Sequence, residues 1–251
     1  MQNESDFDEE LALTDMLEIL RAAVVDPSVK NKTLLQDSLE QIYNFLNQSN
    51  NLGEYSEIYT DLEYEISEIL NASDFRSDEV SDKATQDSEI LTLVYKYICP
   101  HNENVEVVLA TNPYLSDALK WELTKSEFEW EEDGTREALA RNTHDPELLT
   151  HLSQVGNDNV KHQVALNPNT PFEVLDRLVH ESGQCNFQME ECLFGELSSF
   201  RGFIRWAVAQ NPNTQLFTLK QITEGVLASL DEEADLEILR LANERLSISD
   251  L

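Results

Sequence analysis

Val160-Lys161-His162-Gln163-Val164-Ala165-Leu166-Asn167-Pro168-Asn169-Thr170-Pro171 returns almost intact as Ile204-Arg205-Trp206-Ala207-Val208-Ala209-Gln210-Asn211-Pro212-Asn213-Thr214. A block that recurs within one chain signals a repeat architecture, in which each unit buries its apolar face by stacking on the next. Two weaker copies precede it, Val105-Glu106-Val107-Val108-Leu109-Ala110-Thr111-Asn112 and Thr135-Arg136-Glu137-Ala138-Leu139-Ala140-Arg141-Asn142. All four share a β-branched residue, a charged residue, two variable positions, Val or Leu, Ala, any residue, and a closing Asn.

A second apolar stretch follows each copy: Leu119 with Leu123, Leu148 with Leu149 and Leu152, Val174 with Leu175 and Leu178, and Leu219 with Ile222. Each repeat therefore reads as two short helices around a turn. The Asn-Pro step ends the first helix, because a residue before proline is pushed out of the α region. In Thr170-Pro171-Phe172-Glu173 the threonine is placed to cap the second helix, with proline at its first position and Glu173 completing a capping box. Asp145-Pro146 repeats the signal, and Ser116 and Thr214 offer caps without the proline.

The closing asparagines are 30, 25 and 44 residues apart. The longer intervals imply insertions, at 125–133 with Phe128 and Trp130, and at 181–202 with Cys185 and Cys192. Upstream, residues 1–11 read as a disordered acidic terminus and 12–71 as three amphipathic helices. The second of these carries Leu35, Leu39, Ile42 and Leu46, and the third Tyr55, Ile58, Leu62, Ile66 and Ile69. Residues 72–88 read as a mobile linker, and 89–251 as the helical repeat domain, closed by a cap around Leu236–Asn243.

The string Val-Lys-x-x-Val-Ala-x-Asn-Pro-Asn-Thr-Pro-x-x-Val-Leu at 160–175, with its copy at 204–219, resembles the leucine-rich repeat variant family over roughly residues 102–223. The resemblance implies an α-helix stacked on a second, tighter helix in a right-handed superhelix without strands. The expected fold is all-α: a right-handed α-solenoid of short helical repeats preceded by an N-terminal helical bundle or degenerate repeats. One type of member carries an iron–sulfur cluster on a cysteine-rich N-terminal segment. Here Cys99 is the only cysteine before Cys185, so the ligand set is absent and no cofactor is expected. The resemblance carries a fold rather than an activity.

Charge is the abnormal quantity: 17 basic against 49 acidic residues give a net −32 over 251 residues. Residues 1–100 hold 22 acidic and 6 basic side chains, so the excess is not a tail. Such a surface repels nucleic acid and anionic membranes and attracts basic proteins. No secretory signal or apolar run of roughly 18 residues is visible, so a cytoplasmic protein with free thiols is expected.

No nucleophile elbow, glycine-rich phosphate loop or His-Glu-x-x-His motif occurs, and no His and Cys stand at zinc-ligand spacing. No catalytic, metal or cofactor residues are expected. Arg136, Lys161 and Arg205, at like positions of successive repeats, read as partners for the abundant carboxylates, and the closing asparagines as backbone-bonding groups. His144, His151 and His162 read as solvent-facing.

The expected function is a non-catalytic protein-binding α-solenoid engaging a basic partner such as a nucleic-acid-processing enzyme, in the manner of an inhibitor, immunity protein or DNA mimic. Candidate contacts are Phe128, Trp130, Glu131, Glu132 and Asp133, then Asp61, Glu65 and Glu68, and finally Asp231, Glu232 and Glu233. The alternative is a scaffold binding through its apolar insertions, with the charge serving solubility only.

Overall fold

The computed structural model describes residues 9–48, 64–66, 68–70, 85–101, 103–125, 133–182, 200–226 and 232–249. Among these residues every regular element is a helix. The chain forms two compact units, Met1–Phe128 and Glu129–Leu251.

In the first unit, α1 (Glu9–Val25) packs against α2 (Val29–Gln48) across the Asp26-Pro27-Ser28 turn. Met16, Leu20 and Ala23 meet the predicted face of Leu35, Leu39 and Ile42, all buried. Of the expected third helix, residues 64–66 and 68–70 are helical, with Ile66 and Ile69 buried; Tyr55, Ile58 and Leu62 lie outside the described residues.

Residues 85–87, at the far end of the segment read as a linker, are held in place. Thr85 is buried and its amide donates to the Leu70 carbonyl at 3.0 Å. Asp87 caps α3 (Ser88–Tyr97) by accepting from the Glu89 and Ile90 amides. Burial pushes the Asp87 carboxyl up, but Lys32 on α2, 2.8 Å away, and the two amides outweigh this and hold it below its usual range. A 3-10 turn at Cys99–His101 leads to α4 (Glu103–Ala110), and Ser116 caps α5 (Asp117–Leu123) as its sequence predicts.

The second unit comprises α6 (Gly134–Asn142), α7 (Pro146–Val155), α8 (Asp158–Leu166), α9 (Phe172–Ser182), α10 (Phe200–Gln210), α11 (Leu216–Val226) and α12 (Glu232–Ser249). The first helices of the repeats pack on one another, α6 on α8 and α8 on α10, while the second helices do likewise, α7 on α9 and α9 on α11. The result is two layers of helices. The repeated apolar positions are what they bury: Leu139 and Ala140, Val164 and Ala165, Val208 and Ala209 in one layer; Leu148, Leu149 and Leu152, Val174, Leu175 and Leu178, Leu219 and Ile222 in the other. Helix α12 packs on α10 and α11, where the first helix of a further repeat would lie.

Two details of the repeat differ from the sequence reading. Asn142 does not close its repeat: it is the last residue of α6 and donates to the Ala138 carbonyl one turn back at 2.9 Å. The helix keeps the expected register but runs one residue further than α8 does, so Thr143 is the C-cap and accepts from the Asp145 amide at 3.1 Å. Asp145 then caps α7 by accepting from the Glu147 amide, as predicted. Thr170 and Thr214, by contrast, do not cap the helices that follow them. Their hydroxyls donate backwards to the Val164 and Val208 carbonyls, closing the helices that precede them. A helix leaves its last carbonyls without intrahelical donors, and this use of the hydroxyl satisfies one of them.

Candidate functional site

The turns between first and second helices are bolted together along one edge of the second unit. Asn167 accepts from the Asn169 amide at 2.8 Å and donates through Nδ2 to Ala140 and Thr143 of the preceding repeat, at 2.8 and 2.9 Å. Asn211 repeats the arrangement, accepting from Asn213 at 2.9 Å and donating to Ala165 and Asn167, both at 2.8 Å. An outer rung runs beside this one: Asn213 Nδ2 donates to the Pro168 and Thr170 carbonyls at 2.7 and 3.1 Å. The asparagine side chain is short, planar and carries both an acceptor and two donors, so it can shape its own turn and grip its neighbour at once.

The last rung is chemically different. Arg245 of α12 donates through Nη1 to Ala209 and Asn211, at 2.9 and 2.6 Å, and through Nη2 to Pro212 and Thr214, both at 3.3 Å. These four carbonyls are equivalent to those that Asn211 and Asn213 read in the repeat before. A single guanidinium thus does the work of two carboxamides, because its planar fork presents donors side by side.

Beyond this frame the edge displays apolar side chains. Leu166 is 36% exposed, Phe172 43%, Leu216 45% and Phe217 63%. Phe172 and Leu216 open α9 and α11 and stand five residues past Asn167 and Asn211 respectively. The sequence reading passed over them because it sought function in the insertions. The sequence offers only a partial signal, large apolar residues beside the Val174, Leu175, Leu178 and Leu219, Ile222 sets; their exposure comes from the packing.

Of the residues singled out from sequence, Phe128, Trp130, Glu131, Glu132, Asp61 and Asp231 lie outside the described residues. Glu232 and Glu233 open α12, and only their place on that helix is described. The others make local contacts. Asp133 pairs with Arg136 at 2.8 Å, Glu65 pairs with Arg21, and Glu68 accepts from the Tyr64 hydroxyl at 2.9 Å. Asp133 also lies far in sequence from Glu65 and Glu68, and it is placed in the other unit. In the row of cations, Arg136 pairs with Asp133 and Lys161 lies 3.8 Å from Glu181, while the first repeat's Glu106 is buried.

The titratable groups are tuned by packing. Burial, reinforced by Glu106, pushes the Cys99 thiol well up, which disfavours the reactive thiolate. His162 is half-buried rather than solvent-facing, and burial, with the Arg141 charge, lowers its pKa. Among the described residues no three His, Cys, Asp or Glu side chains converge as metal ligands, and no helix is long and apolar enough to cross a membrane. No protein-family model, curated protein or solved structure matches the chain.

Proposed function

We propose that the chain is a non-catalytic protein-binding repeat protein, a right-handed α-solenoid of the leucine-rich repeat variant type, whose acidic surface engages a basic partner. The balance of ion pairs carries the reading. Among the described residues, Arg21, Lys32, Arg136, Lys161, Arg177 and Arg240 all have carboxylate partners within the chain. With 17 cations against 49 acidic residues, even complete internal pairing leaves a surplus of 32 negative charges. A repeat framework spreads that surplus over an extended surface, the arrangement that steers a basic protein to it at a salt-dependent rate.

The fitting partner is a nucleic-acid-processing enzyme met in the cytoplasm, with this chain acting as its inhibitor, immunity protein or DNA mimic. The test immobilises the full chain and measures binding of a panel of basic nucleic-acid-binding proteins as salt is raised. The expected result is a complex that weakens steeply towards physiological salt and is displaced by nucleic acid. Recovery of only neutral or acidic proteins would retire the proposal.

A further inference from the structure

We infer that the turn edge of the second unit is a docking face for a basic segment of another protein that carries apolar anchor residues. The inference rests on the basic-partner reading above and gives that partner a place to bind.

The edge has three properties that belong together. First, it is apolar where the fold does not require it: α9 is held in the core by Val174, Leu175 and Leu178, and α11 by Leu219 and Ile222, so exposed Phe172, Leu216 and Phe217 are not core residues. Second, it is pre-formed. Helices α9 and α11 pack side by side, and the Thr218 hydroxyl donates to Asp176 across them at 3.0 Å. Asn213 fastens the turn before α11 to the turn before α9. Packed helices lie roughly 8–10 Å apart, which sets the spacing between the Phe172 row and the Leu216 and Phe217 row. A partner meeting this edge need not order it, and so avoids one of the main costs of association.

Third, its rim is acidic. Asp145 lies just before α7, Glu147 and Glu173 on the first turns of α7 and α9, and Asp176 on the second turn of α9; against them stand Lys220 on the second turn of α11 and Arg245, whose guanidinium is engaged with the turn carbonyls. Glu147 and Glu173 are exposed, and neither carboxylate pairs with a cation among the described residues. This combination selects the occupant. Nucleic acid and anionic lipid are repelled by the carboxylates, and a second copy of this chain brings another −32. A protein segment with lysine or arginine between large apolar side chains satisfies both the rim and the row.

The test uses the full chain and two fluorescent peptides of equal positive charge, one with Leu and Trp between its Lys and Arg residues and one with Ser in their place. Binding is followed by fluorescence anisotropy at low and physiological salt. The apolar peptide is expected to bind at both, and the double substitution Phe172→Ser with Phe217→Ser to weaken it by roughly tenfold or more while circular dichroism stays unchanged. Glu147→Lys with Glu173→Lys should weaken it chiefly at low salt. If both peptides bind equally and the phenylalanine variant binds like the parent, the docking face is overturned while the basic-partner reading stands. If neither peptide binds at low salt, both readings fall.

Discussion

Replacing Arg245 by alanine removes the last rung in one step, and its cost can be worked from the geometry. The inner bonds reach the carbonyls of Ala209 and Asn211, both buried residues, at 2.9 and 2.6 Å. A charged donor to such groups contributes about 1.5–3 kcal/mol when fully desolvated, and about 1 kcal/mol each for a half-buried, partly screened guanidinium. The outer pair at 3.3 Å adds a few tenths of a kcal/mol each. The expected loss is about 2–3 kcal/mol. For a unit of this size each kcal/mol moves the midpoint by about 3–5 °C, so Arg245→Ala should lower the unfolding temperature of the second unit by roughly 6–15 °C. Arg245→Lys should recover less than half, since one ammonium cannot span four carbonyls. Differential scanning calorimetry of the full chain measures both. A lysine variant as stable as the parent, or an alanine variant within about 2 °C of it, would refute the idea that the fork itself closes the stack.

Further outcomes follow from the packing. Gly156→Ala should destabilise the second unit by about 1–3 kcal/mol in urea unfolding, because a Cβ there would stand 2.4 Å from Val160 Cγ1 and 2.9 Å from the Leu152 carbonyl oxygen. With Cys185 and Cys192 changed to serine, Cys99 should resist a thiol reagent in the folded protein and react promptly once denaturant is added; fast labelling under native conditions would contradict its burial. Burial and Arg141 hold His162 below its ordinary 6.5, so the unfolded chain takes up a proton first as pH falls. Stability should therefore decline from about pH 6.5 down to the folded-state value, and His162→Gln should lose that component in urea titrations at pH 7.5 and pH 5.5.

The apolar pattern made the helices legible. Val164 with Ala165 and Val208 with Ala209 recur because both repeats bury the same positions, and such a constraint is written residue by residue. Hydrogen-bond roles were less legible because they depend on the path of the turn. Keyed on its asparagine, the second repeat reads as closing at Asn142, yet one extra helical residue hands the cap to Thr143. Thr170 has the neighbours of an N-cap, but the turn aims its hydroxyl backwards. Arg245 could not be found by pattern at all. Nothing in α12 spells Asn-Pro-Asn, and only the meeting of one guanidinium with four carbonyls reveals the equivalence. The exposed row of Phe172, Leu216 and Phe217 needed both the register and the knowledge of which helix faces lie inside.

The asparagine ladder also frees the chain from keeping count. Asn167 finds Ala140 from 27 residues away and Asn211 finds Ala165 from 46, yet both make the bond at 2.8 Å. What the side chain measures is the shape of a turn, not the length of polypeptide between two turns. The bond itself therefore sets no limit on how many residues separate two turns, only on how the turns meet. A repeat closed in this way can accept insertions of different lengths and still present the same carboxamide to the same carbonyls.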